Sequence, residues 1–487
     1  MSLCVQLYRF GRQAWCRSHI QRIVVNQYSQ VRRYQHTVHS KTSEYESSLF
    51  VSGVHQDDTL LLSLDLDIEA MLQDLDSNIH ARRHASWNSD NIRQFKDNCK
   101  RFVEMRAKLK NIEDDQKNTT LAFKSIKEKE QNLTMTKEKA DQERTHLREK
   151  GRQLKNQHTS IMDEYFTLEQ AVFIRALQIP NHLHIDTPTE DEVKILDKCG
   201  SSENVKVSSE KLKKILKKCV KFSNVGQKSY YLMSDAALKE QELIIRLSSE
   251  LKSSGFTHMV CPEIFKTVPV EGSGIVPPGP EEIYNLEIQD VNKEKTHILP
   301  YKEYIRGTSV LSFLAYFTRH VLTSEDLPKK FFTVGRSYDT AQQTNSLPGL
   351  YGASQNICAE VAALSGNITQ NEAMYHDLQE MLWSSLSNLD IPARMVLVPA
   401  HSLHCSERRR TEVQFWSPNL QQYIQVGSLS CYGDYFSRRL MYRQNAKPLK
   451  EPVSESSLVY TIHGRWTNIT RLVALHLEYS CQPIGAV

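Results

Sequence analysis

Four clusters in this 487-residue chain combine residue types able to do chemistry. Val334-Gly335-Arg336-Ser337-Tyr338-Asp339-Thr340-Ala341 runs from apolar residues into a carboxylate, and the stretch from Tyr460 to Glu478 carries Arg471. His401-Ser402-Leu403-His404-Cys405 gathers two imidazoles and a thiol. Lys124, Lys127, Lys129, Lys137, Lys139, Arg144, Arg148, Lys150, Arg152 and Lys155 form a cationic series. An arginine aimed at a phosphate contributes a charge-assisted hydrogen bond of roughly 1.5–3 kcal/mol. A carboxylate about 4 Å from a phosphate is unfavourable by on the order of 4 kcal/mol at an effective dielectric of about 20. Asp339 therefore works against anion binding. Arg336 does not offset it with a donor on the same face: three residues upstream on a predicted strand is an odd offset, which points to the opposite face.

The His–Cys cluster lacks a second ligand pair at zinc spacing and reads as loop or strand, so no metal is expected. Ten cysteines occur singly, without a C-x-x-C pair, as free thiols do in a reducing compartment. Asn118, Asn132, Asn367 and Asn468 open glycosylation sequons, which matter only in a secreted protein. A hydrophobic share of 40% and a charged share of 24% indicate a globular chain. No apolar run approaches the length of a membrane span. The net charge of +4 is too small to announce nucleic-acid binding, so any basic footprint must be local.

The elements that must position these groups follow in order. Residues 1–38 contain Arg9, Arg12, Arg17, Arg22, Arg32 and Arg33, with no acid before Glu44, the composition of a mitochondrial transit peptide. From Trp87 to Gln178 there is no proline and the single glycine Gly151, within a helix-forming stretch rich in Lys, Glu, Gln, Arg and Leu. Ile126, Leu133, Ala140, Leu147, Leu154, Ile161 and Leu168 recur every seven residues, and Ile92, Phe95, Cys99 and Phe102 every three or four. One rod or an antiparallel hairpin accounts for this. The hairpin turns near Asn132 to Lys137, or alternatively near Asp114 to Thr120, with helices of about forty residues and on the order of 60 Å. Its cations serve equally as a solvated helix surface or as a track for an RNA backbone.

This arm is expected over residues 60–182, ending at Pro180, with a polar connector over 183–224 and a core domain over 225–487. In the core, 235–254 reads as an amphipathic helix and 468–480 as a closing helix. Residues 330–338, 354–364, 393–399, 411–416 and 421–431 read as strands. Without βαβ regularity the class is α+β.

The order of these parts resembles seryl-tRNA synthetase, a class II aminoacyl-tRNA synthetase, from about Leu64 to Cys481. Ile179-Pro180-Asn181-His182, with His184 and Pro188, follows the arm. Tyr231-Leu232, Ala237-Leu238 and Gly255-Phe256 through Pro262 resemble the dimer-building motif 1. Val413 to Trp416 and Gly433 to Arg439 resemble the segment before the last motif. His463-Gly464, Arg471-Leu472 and Leu477-Glu478 resemble motif 3. The resemblance implies an antiparallel sheet flanked by helices, preceded by a long helical hairpin. It also implies a dimer in which one subunit's arm grips serine tRNA bound at the other's active site.

Against that pattern, Asp339 and Ala341 replace the motif 2 arginine and glutamate, and Val310 in Thr308-Ser309-Val310 replaces the carboxylate for the serine ammonium. Gly352 stands at a basic position, and Asn356-Ile357 at the adenine-stacking aromatic and its polar neighbour. Gln425 and Cys431 stand at a glutamate and an asparagine, and Thr470 at the glycine before the retained Arg471. Because acyl and phosphoryl transfer rest on preorganised charge, these losses imply a non-catalytic mitochondrial paralogue without a cofactor. It would bind serine tRNA in the matrix and pair with the active mitochondrial seryl-tRNA synthetase in support of translation. The alternatives are an adenylating ligase and a general mitochondrial nucleic-acid-binding protein.

Overall fold

The computed structural model describes residues 47–49, 64, 66–84, 87–131, 137–202, 205, 207–224, 228–286, 302–340, 347–444 and 458–481. The leader-like segment 1–38, Ala341 and residues 132–136 of the expected arm turn lie outside the described residues. Two compact units divide the chain, one on Arg93–Arg175 and the other on Leu62–Ile92 with Ala176–Val487 and Ser47–Leu49.

After short helices α1 (Ile68–Gln73) and α2 (Leu75–Arg82), the first unit is built from α3 (Ser89–Gln131) and α4 (Lys137–Leu177), of 43 and 41 residues. The two run antiparallel: Arg101 meets Glu164 at 3.1 Å, His158 approaches Glu113 at 3.8 Å, and Arg148 lies 5.8 Å over Phe123. Phe102 stacks on Tyr165 and meets Phe173 edge-on, which identifies the apolar seam. Ile126, Leu154 and Leu168 of the seven-residue series are buried, as are Phe95, Cys99 and Phe102 of the earlier spacing.

The second unit is an α+β body around an eight-stranded sheet: β1 (Lys194–Cys199), β2 (Thr257–His258), β3 (Lys329–Tyr338), β4 (Gln355–Ser365), β5 (Ala393–Leu397), β6 (Arg409–Ser417), β7 (Gln422–Gly433) and β8 (Tyr460–Asn468). Their order is β1-β5-β6-β7-β8-β4-β3-β2. All neighbours are antiparallel except the edge strand β2, which runs parallel to β3. The expected strands appear within two residues of their limits, and the stretch expected to be a connector supplies the other edge strand, β1. It also supplies α5 (Ser209–Cys219), whose Leu212 and Cys219 are buried.

Helices α6 (Ser234–Ser253), α9 (Ile368–Ser387) and α11 (Ile469–Tyr479) cover one face of the sheet. The reason is spacing: Leu243, Leu247 and Leu251, like Leu378, Leu382 and Leu386, recur every four residues and form buried stripes against Val361, Phe415 and Trp466. Each buried leucine contributes about 1.5–3 kcal/mol. Three short helices, α7 (Thr267–Gly272), α8 (Val310–Phe317) and α10 (Tyr435–Leu440), belong to the same unit. The fully buried Glu271 of α7 accepts hydrogen bonds from the Ser47 hydroxyl and from the backbone amides of Ser48 and Leu49.

Gly255 follows α6 with φ +82°, a conformation that favours glycine. It turns Phe256 into the core against Trp466, with Lys330 over the Phe256 ring. Pro262 is exposed at the other end of this segment, between Val260 (93% exposed) and Ile264 (49%).

Candidate functional site

Asp339 follows the last residue of β3, where the strand lies against β4 with Tyr338 opposite Gln355 and Ser337 opposite Asn356. On the other side of β4, Glu360 pairs with Arg465 of β8. Strand alternation puts Ser337, Asn356, Glu360 and Arg465 on one face, while Ile357, Ala359 and Val361 turn to the helical core. Arg336, opposite Ile357, is exposed and faces away from Ser337, as its odd offset requires.

These side chains form a closed charge network. Arg465 Nε donates to Glu360 at 2.9 Å, Nη1 to Asp339 at 3.4 Å, and Nη2 to the Ser337 hydroxyl at 3.2 Å. Asp339 also accepts from the Asn356 amide at 3.1 Å and lies 3.5 Å from Arg306. His463 Nε2 comes within 3.1 Å of Glu360 without the alignment of a hydrogen bond. Burial opposes ionisation of Asp339, but Arg465, Arg306 and Arg471 overcome it and hold the carboxyl below its usual range. Glu360 is likewise depressed: burial raises it, and Arg465 with His463 more than offsets that. Burial also works against the charge on Arg465, yet Cys358, Asp339 and Glu360 raise its pKa well above the ordinary value.

The neighbouring positions are equally occupied. Arg471 donates from Nε to the Tyr351 carbonyl at 3.1 Å and from Nη1 to the Gln425 carbonyl at 2.8 Å. The retained arginine therefore ties α11 to the sheet. Thr470 accepts from the Ile357 amide at 2.9 Å and lies 2.8 Å from the Tyr230 hydroxyl, so the hydroxyl that replaces glycine acts as a bridge. Val310 is the first residue of α8, behind a capping box of Ser309 and Ser312. Gly352 is buried in a single 3₁₀ turn, Gly349–Gly352. Chemically the centre is two carboxylates neutralised by guanidinium groups.

Arg465, Arg306 and Glu360 are the three participants that the sequence alone did not single out. Arg465 stands between Gly464 and the buried Trp466, and a cation inside an apolar strand needs an anionic partner. Glu360, in the run from Cys358 to Leu364, answers that need.

In the arm, Lys124, Lys139, Arg148, Lys150, Arg152 and Lys155 are exposed, and Arg144 is partly buried beside Asp141 at 3.5 Å. Lys127, Lys129 and Lys137 belong to helical backbone, and their side chains lie outside the described residues. The His401–Cys405 stretch folds as a short 3₁₀ turn and a loop. Among the described residues no cluster of ligating side chains could hold a metal.

Residues 296–480 match the tRNA synthetase class II core domain (G, H, P, S and T). The chain is 25% identical over 402 residues to the mitochondrial serine–tRNA ligase of Bos taurus, covering 79% of this chain and 73% of that one. It is 26% identical over 353 residues to the serine–tRNA synthetase-like protein Slimp of Drosophila melanogaster, covering 70% and 72%. The fold matches the seryl-tRNA synthetase from Pyrococcus horikoshii complexed with ATP with a TM-score of 0.68, at 16% identity, over 85% of this chain and 94% of that one. Residues 296–480 thus carry a class II tRNA synthetase core domain, and the chain is similar to serine–tRNA ligases over most of its length.

Proposed function

We propose that this protein is a non-catalytic, seryl-tRNA synthetase-like protein of mitochondria that binds serine tRNA through its helical arm. It needs no cofactor. The observation that carries the reading is the Asp339–Arg465–Glu360 network. A phosphate-binding centre requires unspent positive charge, and here the guanidinium groups already face carboxylates at 2.9–3.5 Å. Any anion entering would first have to break buried ion pairs. Restoring one cation does not restore the site, because an arginine at position 339 would face Arg465 and Arg306.

Homology to serine–tRNA ligases implies tRNA binding and dimerisation. The dimer reading is supported by the edge strand β2 and the exposed Val260 and Ile264 beside Pro262. Pairing with the active mitochondrial seryl-tRNA synthetase would place this arm at the service of a working active site and so support translation. The mitochondrial relatives and the arginine-rich residues 1–38 support a mitochondrial, matrix location. No helix among the described residues is long and apolar enough to cross a membrane.

Nucleotide binding and ATP–pyrophosphate exchange by the chain without residues 1–38 test the central claim. We expect neither activity in the parent, and none or a trace in the Asp339→Arg, Ala341→Glu double variant. Robust exchange with serine or another amino acid would make the protein an adenylating ligase. Equal affinity for DNA and serine tRNA would make it a general nucleic-acid binder.

A further inference from the structure

A second buried cluster lies in the loop between β5 and β6, outside the charge network. Cys405 Sγ sits 3.7 Å from His404 Nδ1 and 4.0 Å from Nε2, beside the ring edge, and contacts the Gly274 carbonyl at 3.1 Å. Gly274 has φ +101°, and a Cβ there would come within 2.7 Å of the sulfur and 2.8 Å of the Tyr435 hydroxyl. The absence of a side chain thus lets thiol and phenol converge on one point. His404 is fixed on both sides: Ser406 Oγ lies 2.8 Å from Nδ1, and Arg82 donates to the His404 carbonyl at 3.0 Å.

Three buried polar atoms of α10 have no hydrogen-bond partner among the described residues: the Tyr435 hydroxyl, and Nε and Nη2 of Arg439. Tyr435 is 4% and Arg439 1% exposed, and the guanidinium carbon lies 3.4 Å over the Tyr435 ring. Such buried donors call for an acceptor. The eight described cysteines are free, and burial pushes Cys99 and Cys358 up to about 12 and also raises Cys199, Cys261, Cys431 and Cys481. Cys405 moves the other way: burial resists the thiolate, but His404, Arg439 and Arg82 stabilise it. Cys405 is also partly exposed.

We propose that Cys405 is a hydroperoxide-reactive thiol, and that Tyr435 and Arg439 hold the oxygen of its sulfenic acid. The thiolate sulfur attacks one peroxide oxygen, the S–O bond forms and the O–O bond breaks. The electron pair leaves on the second oxygen, which takes a proton from the His404 imidazolium to become water, or an alcohol from an alkyl hydroperoxide. Sulfur is oxidised by two electrons and the peroxide reduced by two. The added oxygen supplies the acceptor that the phenol and guanidinium lack.

The test treats the full chain with limiting hydrogen peroxide, traps sulfenic acid with dimedone, and follows each cysteine by peptide mass spectrometry. Labelling at Cys405 is expected at least about tenfold faster than at Cys199 and Cys261, because thiolate character and access both favour it. His404→Gln should slow labelling. Tyr435→Phe, which removes only the hydroxyl, should shorten the lifetime of the sulfenic acid once catalase has removed the peroxide. Labelling of Cys405 no faster than the other two overturns the proposal. So does an unchanged rate in a His404→Gln chain that keeps the native near-ultraviolet circular dichroism.

Discussion

Arg465 in the body and Lys155 in the arm are both cations on regular secondary structure, and their surroundings are opposite. Arg465 spends its donors on Glu360, Asp339 and Ser337 within a strand. Lys155 stands exposed on a helix, next to the buried Leu154. A desolvated ion keeps its charge only if a counterion is built in, whereas an exposed one remains available to an external anion. At this network the body has turned its charge inward, whereas the cation of the arm faces outward. Of the two, the arm is the surface suited to a polyanion.

The strongest way to break this contrast is Arg465→Ala. It leaves Asp339 and Glu360 buried without their main counterion, and unfolding by denaturant should show a loss of about 3–5 kcal/mol. A loss under 1 kcal/mol would mean that the network is a surface feature. The complementary change, Lys124, Arg148, Lys150, Arg152 and Lys155 all to Gln, should leave folding nearly unchanged. Binding to serine tRNA should weaken, with the slope of log affinity against log salt falling by roughly 0.7–0.9 per phosphate contact removed. An unchanged slope would show that the arm cations only solvate a helix.

Acid sharpens the comparison further. Asp339 and Glu360 are both depressed in the folded chain. Their stabilisation is complete above the unfolded carboxylate values near pH 4 and is lost as pH falls through the lower folded values. Denaturation measured from pH 6 to pH 2 should reveal this loss in the parent, and a smaller one in Arg465→Ala. The smallest effect belongs to the arm seam. Arg101 and Glu164 are 61% and 59% exposed, so a double-mutant cycle should give only about 0.2–1 kcal/mol.

Much of the scaffold is legible in the sequence because its signals are local. The leucines of α6 mark a helix, the run from Lys329 to Tyr338 marks a strand, and Gly255 before Phe256 marks a turn into the core. Edge strand β1 escaped because Lys194–Cys199 is largely exposed and lacks an apolar alternation. Helix α8 escaped because its start coincides with Thr308-Ser309-Val310, which invites reading as pocket residues rather than as a cap. The candidate site was half legible. Asp339 stood out by type, but its meaning depends on Arg465, 126 residues away in sequence, and on a sheet order that seats β8 beside β4. A misplaced anion in sequence becomes, in three dimensions, one member of a neutral set.

Ser47, Ser48 and Leu49 are held against the body by Glu271. The anchor thus ties a buried carboxylate to a segment more than 200 residues away in sequence: a chain that loses Ser47–Leu49 keeps Glu271 in the body and loses three of its donors.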